Sequence, residues 1–169
     1  MAHGITETDT VLLHKEQAWH KLGVVVKEAP TPHEAMELAN LNWRVLTTNG
    51  VGGKLHEPVF SDEWKLTVRE DTNEVLGCVS KNYTVIQNEV LMNYAHSLAL
   101  ESDLEVVESA GSLFGGRRSF CLLKAKEFDV EEDGKDTIVP YVLLSNSHDG
   151  TMSFSARTTS VRVVCNNTL

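Results

Sequence analysis

From Leu104 to Val164 the chain is a succession of short β-forming runs separated by turn residues. Leu104 to Glu108 comes first, and Arg117-Arg118-Ser119-Phe120-Cys121-Leu122-Leu123-Lys124 reads as a buried strand. Thr137 to Ser145 is β-rich with one break at Pro140, Thr151 to Thr158 alternates, and Val161 to Val164 is strand-like. The connections are Gly115-Gly116, an acidic turn over 131–135, and Asn146-Ser147-His148-Asp149-Gly150. Strands joined by short turns pair antiparallel, because a parallel pair needs a crossover of about a dozen residues or more. The pattern predicts an α+β fold, mainly an antiparallel sheet with two or three helices, in a single domain over 1–169.

The helices belong to the first hundred residues. Thr31-Pro32-His33-Glu34 combines a capping residue, a proline suited to the first helical position and a glutamate that completes a capping box. A helix over 32–40 is predicted there. Val90, Leu91, Tyr94, Ala95, Leu98 and Ala99 fall at helical spacing, which predicts a helix over 88–100 capped by Asn88. Trp64 to Arg69 and Glu74 to Val79 flank Asp71-Thr72-Asn73 and predict a hairpin. Asn49-Gly50 and Gly52-Gly53 mark a turn or loop. Trp19, Trp43 and Trp64 are expected in the core or at its edge.

The formal net charge is −9. It favours solubility and counts against wholesale nucleic-acid binding, which needs clustered Lys and Arg. Cys78, Cys121 and Cys165 are widely spaced and contain no CxxC pair, so neither a structural zinc nor a disulfide framework is expected. Free thiols suit a reducing cytoplasm. The N-terminus lacks a basic and apolar leader pattern, and no apolar run approaches the roughly 20 residues of a membrane span.

Catalytic signatures are weak. The glycines of 111–116 lack the Lys-Ser/Thr ending of a phosphate loop and lead into a strand, so a hairpin turn is the better reading. His14 and His20 do not share a helix face, and no metal site is expected. Ser145, Ser147, His148 and Asp149 are adjacent in sequence, which is no evidence for a triad. The Asp149-Gly150 pair has an obvious turn role, and His148 and Asp149 are retained as weak ligand-contact candidates on a loop.

The more informative set is basic. Arg117, Arg118, Lys124 and Lys126 lie between positions 110 and 126 with no acid among them, and Arg157 and Arg162 follow in later strands. On neighbouring strands they would form a basic strip able to track a phosphate backbone. The competing reading is a solvated sheet face or a set of ion pairs with the many acids.

Several segments taken in order resemble one family. They are Ala18-Trp19-His20-Lys21-Leu22-Gly23, Asn42-Trp43-Arg44-Val45, Glu74 to Val79 with Tyr83 to Asn88, Ala110 to Arg118, Leu144 to Gly150, and Val161 to Leu169. The series is similar to the DUF932 family, also called the phage/plasmid-like protein family, from about Trp19 to the last residue. The resemblance implies a protein of bacteriophages, prophages and plasmids acting in the bacterial cytoplasm. It also implies that this chain is the N-terminal portion of a longer architecture. The family assigns no catalytic residues and no cofactor, so none is carried over.

The expectation from all this is a non-enzymatic protein that binds single-stranded DNA in replication or recombination. Arg117, Arg118, Lys124, Arg157 and Arg162 would contact phosphates, assisted by Asn166 and Asn167. The alternatives are an acidic module that binds a host or phage protein, and a small-molecule-binding domain. No membrane partner is expected, and self-association is left open.

Overall fold

The structure is a computed structural model that describes residues 2–49, 61–102, 104–126, 128–129, 137–160, 162 and 165–169. The expected turn at 49–53 beyond Asn49, the turn at 131–135, and most of the strand expected over 161–164 lie outside the described residues.

The scaffold is a six-stranded sheet ordered β11-β10-β7-β6-β1-β2. Its strands are β1 (Val11–His14), β2 (Val24–Val26), β6 (Leu104–Leu113), β7 (Arg118–Ala125), β10 (Tyr141–Ser147) and β11 (Ser155–Thr159). Every neighbouring pair is antiparallel except β1 and β2, which run parallel with Leu12 opposite Val24. A second sheet, β3 (Val45–Thr48), β4 (Trp64–Arg69) and β5 (Val75–Ser80), is an antiparallel meander containing the expected hairpin. A short ribbon joins β8 (Phe128–Asp129) to β9 (Thr137–Ile138).

Both faces of the sheet's central strands are covered. Leu12, Ala110, Cys121, Leu123 and Leu144 pack into one cluster with Ala35, Leu41, Trp43, Leu76, Leu91 and Met92. Those partners come from the helices α1 (Pro32–Leu38) and α2 (Asn88–Glu101) and from the small sheet with its approach segment. Val11, Leu13, Phe120, Leu122 and Leu143 form a second cluster, closed by Ala18, Tyr141 and Cys165 and flanked by Ile5, Phe114 and Leu169. A strand buried on both sides has no polar face, which explains the unbroken Phe120-Cys121-Leu122-Leu123 run.

The helix α1 begins with the expected capping box: Thr31 Oγ1 accepts from Glu34 N–H, and the Glu34 carboxylate accepts from Thr31 N–H at 2.8 Å. For α2 the cap is Gln87, not Asn88, and its buried face is Asn88, Leu91, Met92 and Ala95. Val90 and Tyr94 are exposed. The face turns because both polar residues at the helix start are used across the core. Gln87 accepts from Val45 N–H and donates to Val45 C=O, both at 2.9 Å. Asn88 Nδ2 donates to Leu41 C=O at 3.2 Å. Of the tryptophans only Trp43 is buried; Trp19 and Trp64 are 66% and 52% exposed.

His148 is fully buried where α2, the small sheet and the large sheet meet. Asn88 Oδ1 lies 2.9 Å from His148 Nε2, and Trp43 packs edge-on at 5.5 Å between ring centroids. Because the Asn88 amide nitrogen is spent on Leu41, its oxygen faces the imidazole, which makes His148 the Nε2–H tautomer. Burial pushes its pKa down to about 4, partly opposed by Asp149. The unfolded chain then binds a proton near pH 6.5 that the folded chain refuses until about pH 4. Stability is complete above that upper value and falls as pH drops between the two. Denaturant unfolding should show the wild type losing about 2 kcal/mol more between pH 7 and pH 5 than His148→Gln does. Equal losses would mean that His148 is not the buried neutral group described.

Candidate functional site

The site is built where the N-terminal segment crosses the tight turn between β6 and β7. The turn holds three consecutive residues with positive φ: Phe114 at 58°, Gly115 at 72° and Gly116 at 94°. Gly116 is required twice over, since a Cβ there would also lie 2.9 Å from the Trp43 ring. Phe114 N–H donates to Gly4 C=O at 2.6 Å, which ties the turn to the chain start.

A single buried carboxylate organises this crossing. Asp9 Oδ1 accepts from Ser112 Oγ at 2.7 Å and Gly116 N–H at 2.9 Å. Its Oδ2 accepts from Gly115 N–H at 2.7 Å, Thr6 N–H at 3.0 Å and Thr6 Oγ1 at 2.8 Å. Arg69, 1% exposed, fastens the same crossing from the small sheet. Its guanidinium donates to Thr8 C=O at 3.1 Å and Gly115 C=O at 3.5 Å, and lies 4.3 Å over the Trp43 ring. Its remaining donors form a fork onto Asp71 at 2.7 and 3.0 Å, which holds the Asp71 carboxyl below its ordinary range.

The expected phosphate-contacting residues fall into separate places. Arg117 is exposed at the turn. Arg118 donates to Asn166 Oδ1 at 2.8 Å and lies 5.3 Å over the Phe114 ring. Asn166 N–H in turn donates to His3 C=O at 3.0 Å, and the adjacent Asn167 is exposed. The structure therefore brings Arg117, Arg118, Asn166 and Asn167 to one end of β7. Lys124 shares a sheet face with Arg118 but stands at the other end, opposite Tyr141. Arg157 is exposed on that face, two strands away, opposite Leu143. Between Arg118 and Lys124 the same face carries Phe120 and Leu122, both fully buried under the second cluster. Arg162 is spent elsewhere: its Nε lies 2.6 Å from Glu108 Oε1, and its Nη2 donates to the carbonyls of His14 and Glu16 at 2.8 and 2.9 Å. Among the described residues no carboxylate lies within 4.0 Å of Arg117, Arg118 or Arg157.

His148 is not on an open loop. Its side chain is in the core, while Asp149 Oδ1 turns back to accept from Thr151 N–H and Oγ1 at 3.0 and 2.6 Å. Ser147 Oγ bonds Met152 and Ser145 Oγ bonds Ser155, so neither serine is paired with the imidazole. Among the described residues no group of three His, Cys, Asp or Glu could hold a metal. No described helix is long and apolar enough to cross a membrane.

Sequence reasoning passed over Asp9, Thr6, Thr8, Arg69 and Glu74. Asp9 meets its turn partners across separations of 103 to 107 residues, so no local spacing marks it. A family model described as "Domain of unknown function (DUF932)" matches residues 75–169, starting later than the resemblance from Trp19 suggested. No curated protein and no solved structure matches the chain.

Replacing Asp9 by Asn would turn an amide N–H₂ toward donors that now meet a carboxylate. Unfolding titrations should show a loss of about 3 kcal/mol for Asp9→Asn. The half-exposed Asp71, changed to Asn, should cost under about 1 kcal/mol. Equal and small effects would show that Asp9 does not hold the crossing.

Proposed function

We infer that this chain, which belongs to the DUF932 family, is a non-catalytic module that binds single-stranded nucleic acid at the end of β7. The observation that carries the reading is the arrangement around Arg118. Its guanidinium is oriented by Asn166 and by the Phe114 ring, next to the exposed Arg117, with no carboxylate within 4.0 Å of either arginine among the described residues. A guanidinium held in this way loses little entropy when it takes a phosphate, and its fork matches phosphate oxygens. Asn167 adds an exposed amide, and the part-exposed Phe114 adds a ring beside the cations. Arg157 and Lys124 stand farther along the same sheet face, where a longer strand could reach them. A net charge of −9 repels a polyanion elsewhere on the surface, so binding is local and strongly dependent on salt. Such a role fits a cytoplasmic protein of a phage or plasmid that handles exposed single strands.

A second reading has one specific observation behind it. Trp19, Leu22, Val24 and Val25 are 66%, 40%, 46% and 38% exposed along the edge of β2, a surface suited to a protein partner.

Fluorescence anisotropy with single-stranded DNA across a salt series separates the two. The first reading expects measurable binding at low salt. In the Arg117→Ala, Arg118→Ala double variant it expects affinity lower by about tenfold and a salt slope shallower by about two. Absence of binding at low salt, or a double variant that binds as the wild type does, removes the nucleic-acid reading and leaves the β2 edge as the interaction surface.

A further inference from the structure

The Asp9 crossing leaves an open groove of about 930 Å³ beside the arginines, walled by Ile5, Leu22, Val75 and Phe114, with Arg117 also lining it. Its volume is that of a small-ligand site. Gly115 has no side chain, and a Cβ there would stand 3.5 Å from Glu74 Oε2, 3.7 Å from Thr8 Oγ1 and 3.9 Å from Thr6 Oγ1. Three oxygens from two parts of the chain thus converge on one point.

The protons of this cluster can be assigned. Thr6 Oγ1 donates to Asp9 Oδ2 at 2.8 Å. The 3.1 Å contact between Thr6 Oγ1 and Thr8 Oγ1 must then be donated by Thr8. Both hydroxyl protons point away along the chain Thr8 to Thr6 to Asp9. What these three side chains leave toward the groove is acceptors: lone pairs of two hydroxyls and the exposed Glu74 carboxylate. A cluster of acceptors between apolar walls favours a flat ligand edge that presents adjacent N–H donors, and Arg117 adds a cation for an anionic group on the same ligand.

We propose that this groove is a guanine subsite: the base enters between the apolar walls, and Glu74 accepts from its N1–H and N2–H₂ while Arg117 takes the attached phosphate. Guanine is the one common base with two adjacent donors on its Watson–Crick edge. Adenine and cytosine each offer one amino donor beside an acceptor, and thymine one N–H between two acceptors. Unstacked bases are commonly read along this edge between apolar or aromatic side chains. The inference rests on the single-strand reading above and specifies which base the surface holds.

The test compares oligo-dT with the same oligomer carrying guanine, and with one carrying inosine, which keeps N1–H but lacks the 2-amino group. Wild type should bind the guanine oligomer about tenfold more tightly than oligo-dT, with inosine between. In Glu74→Gln the ratio should fall toward one. Equal affinities of wild type for the three oligomers, with ordinary salt dependence, would overturn the guanine subsite and leave the single-strand reading standing. If no oligomer binds, titration with guanosine monophosphate decides. Amide shifts at Thr6, Thr8 and Gly115 that are absent from Glu74→Gln would keep the subsite while the single-strand reading falls. No shifts would overturn both.

Discussion

The carboxylate of Asp9 is the constraint on which the functional surface depends. It satisfies two backbone N–H groups of a turn whose three positive-φ residues cannot satisfy themselves, and it joins that turn to a segment more than a hundred residues earlier. A buried carboxylate is tolerable only when fully hydrogen-bonded, and here five donors surround it. Arg69 supplies the complementary cation from the small sheet, with Asp71 neutralising its far side. The two charged groups fix the chain start, the β6–β7 turn and the β4–β5 hairpin with respect to one another. The groove and the Arg117–Arg118 end of β7 exist because these three pieces are held together.

The large sheet plays a different part. Its central strands are buried on both faces, so the sheet offers mainly its ends and edge strands to solvent. That is why a cation on β7 can reach solvent at Arg118 and Lys124 while the residues between them cannot. Arg162 follows the same logic in reverse. Its side chain pairs with Glu108 and donates to the carbonyls of His14 and Glu16, so its charge is spent within the fold and withdrawn from the surface.

Local chemistry was legible wherever one segment determines its own structure. The Thr31–Glu34 capping box, the β4–β5 hairpin and the antiparallel run from β6 to β11 are all short-range features, and all are visible in residue order. The parallel pairing of β1 with β2 was not, because the three-residue β2 has no pattern of its own to show a partner. The burial of the His148 side chain was not legible for a similar reason. An Asp-Gly turn follows it, and nothing nearby reveals that Asn88, sixty residues away, waits to receive the imidazole. Gln87 and Asn88 look like ordinary helix-start residues until β3 and the core are present to use them.

The candidate site was half legible. The arginines announce themselves as a cluster without acids, whereas the acceptors at the adjoining groove are divided between the Thr6–Thr8 segment and Glu74 and meet only across the Asp9 crossing. We propose that a single strand lies along this crossing. Photocrosslinking with a halogenated single-stranded oligonucleotide, followed by peptide mapping, tests it most directly. Adducts are expected in the peptides that contain Ile5 to Thr8 and Phe114 to Arg118. Adducts confined to α1, α2 or the Trp19 to Val25 edge would contradict it.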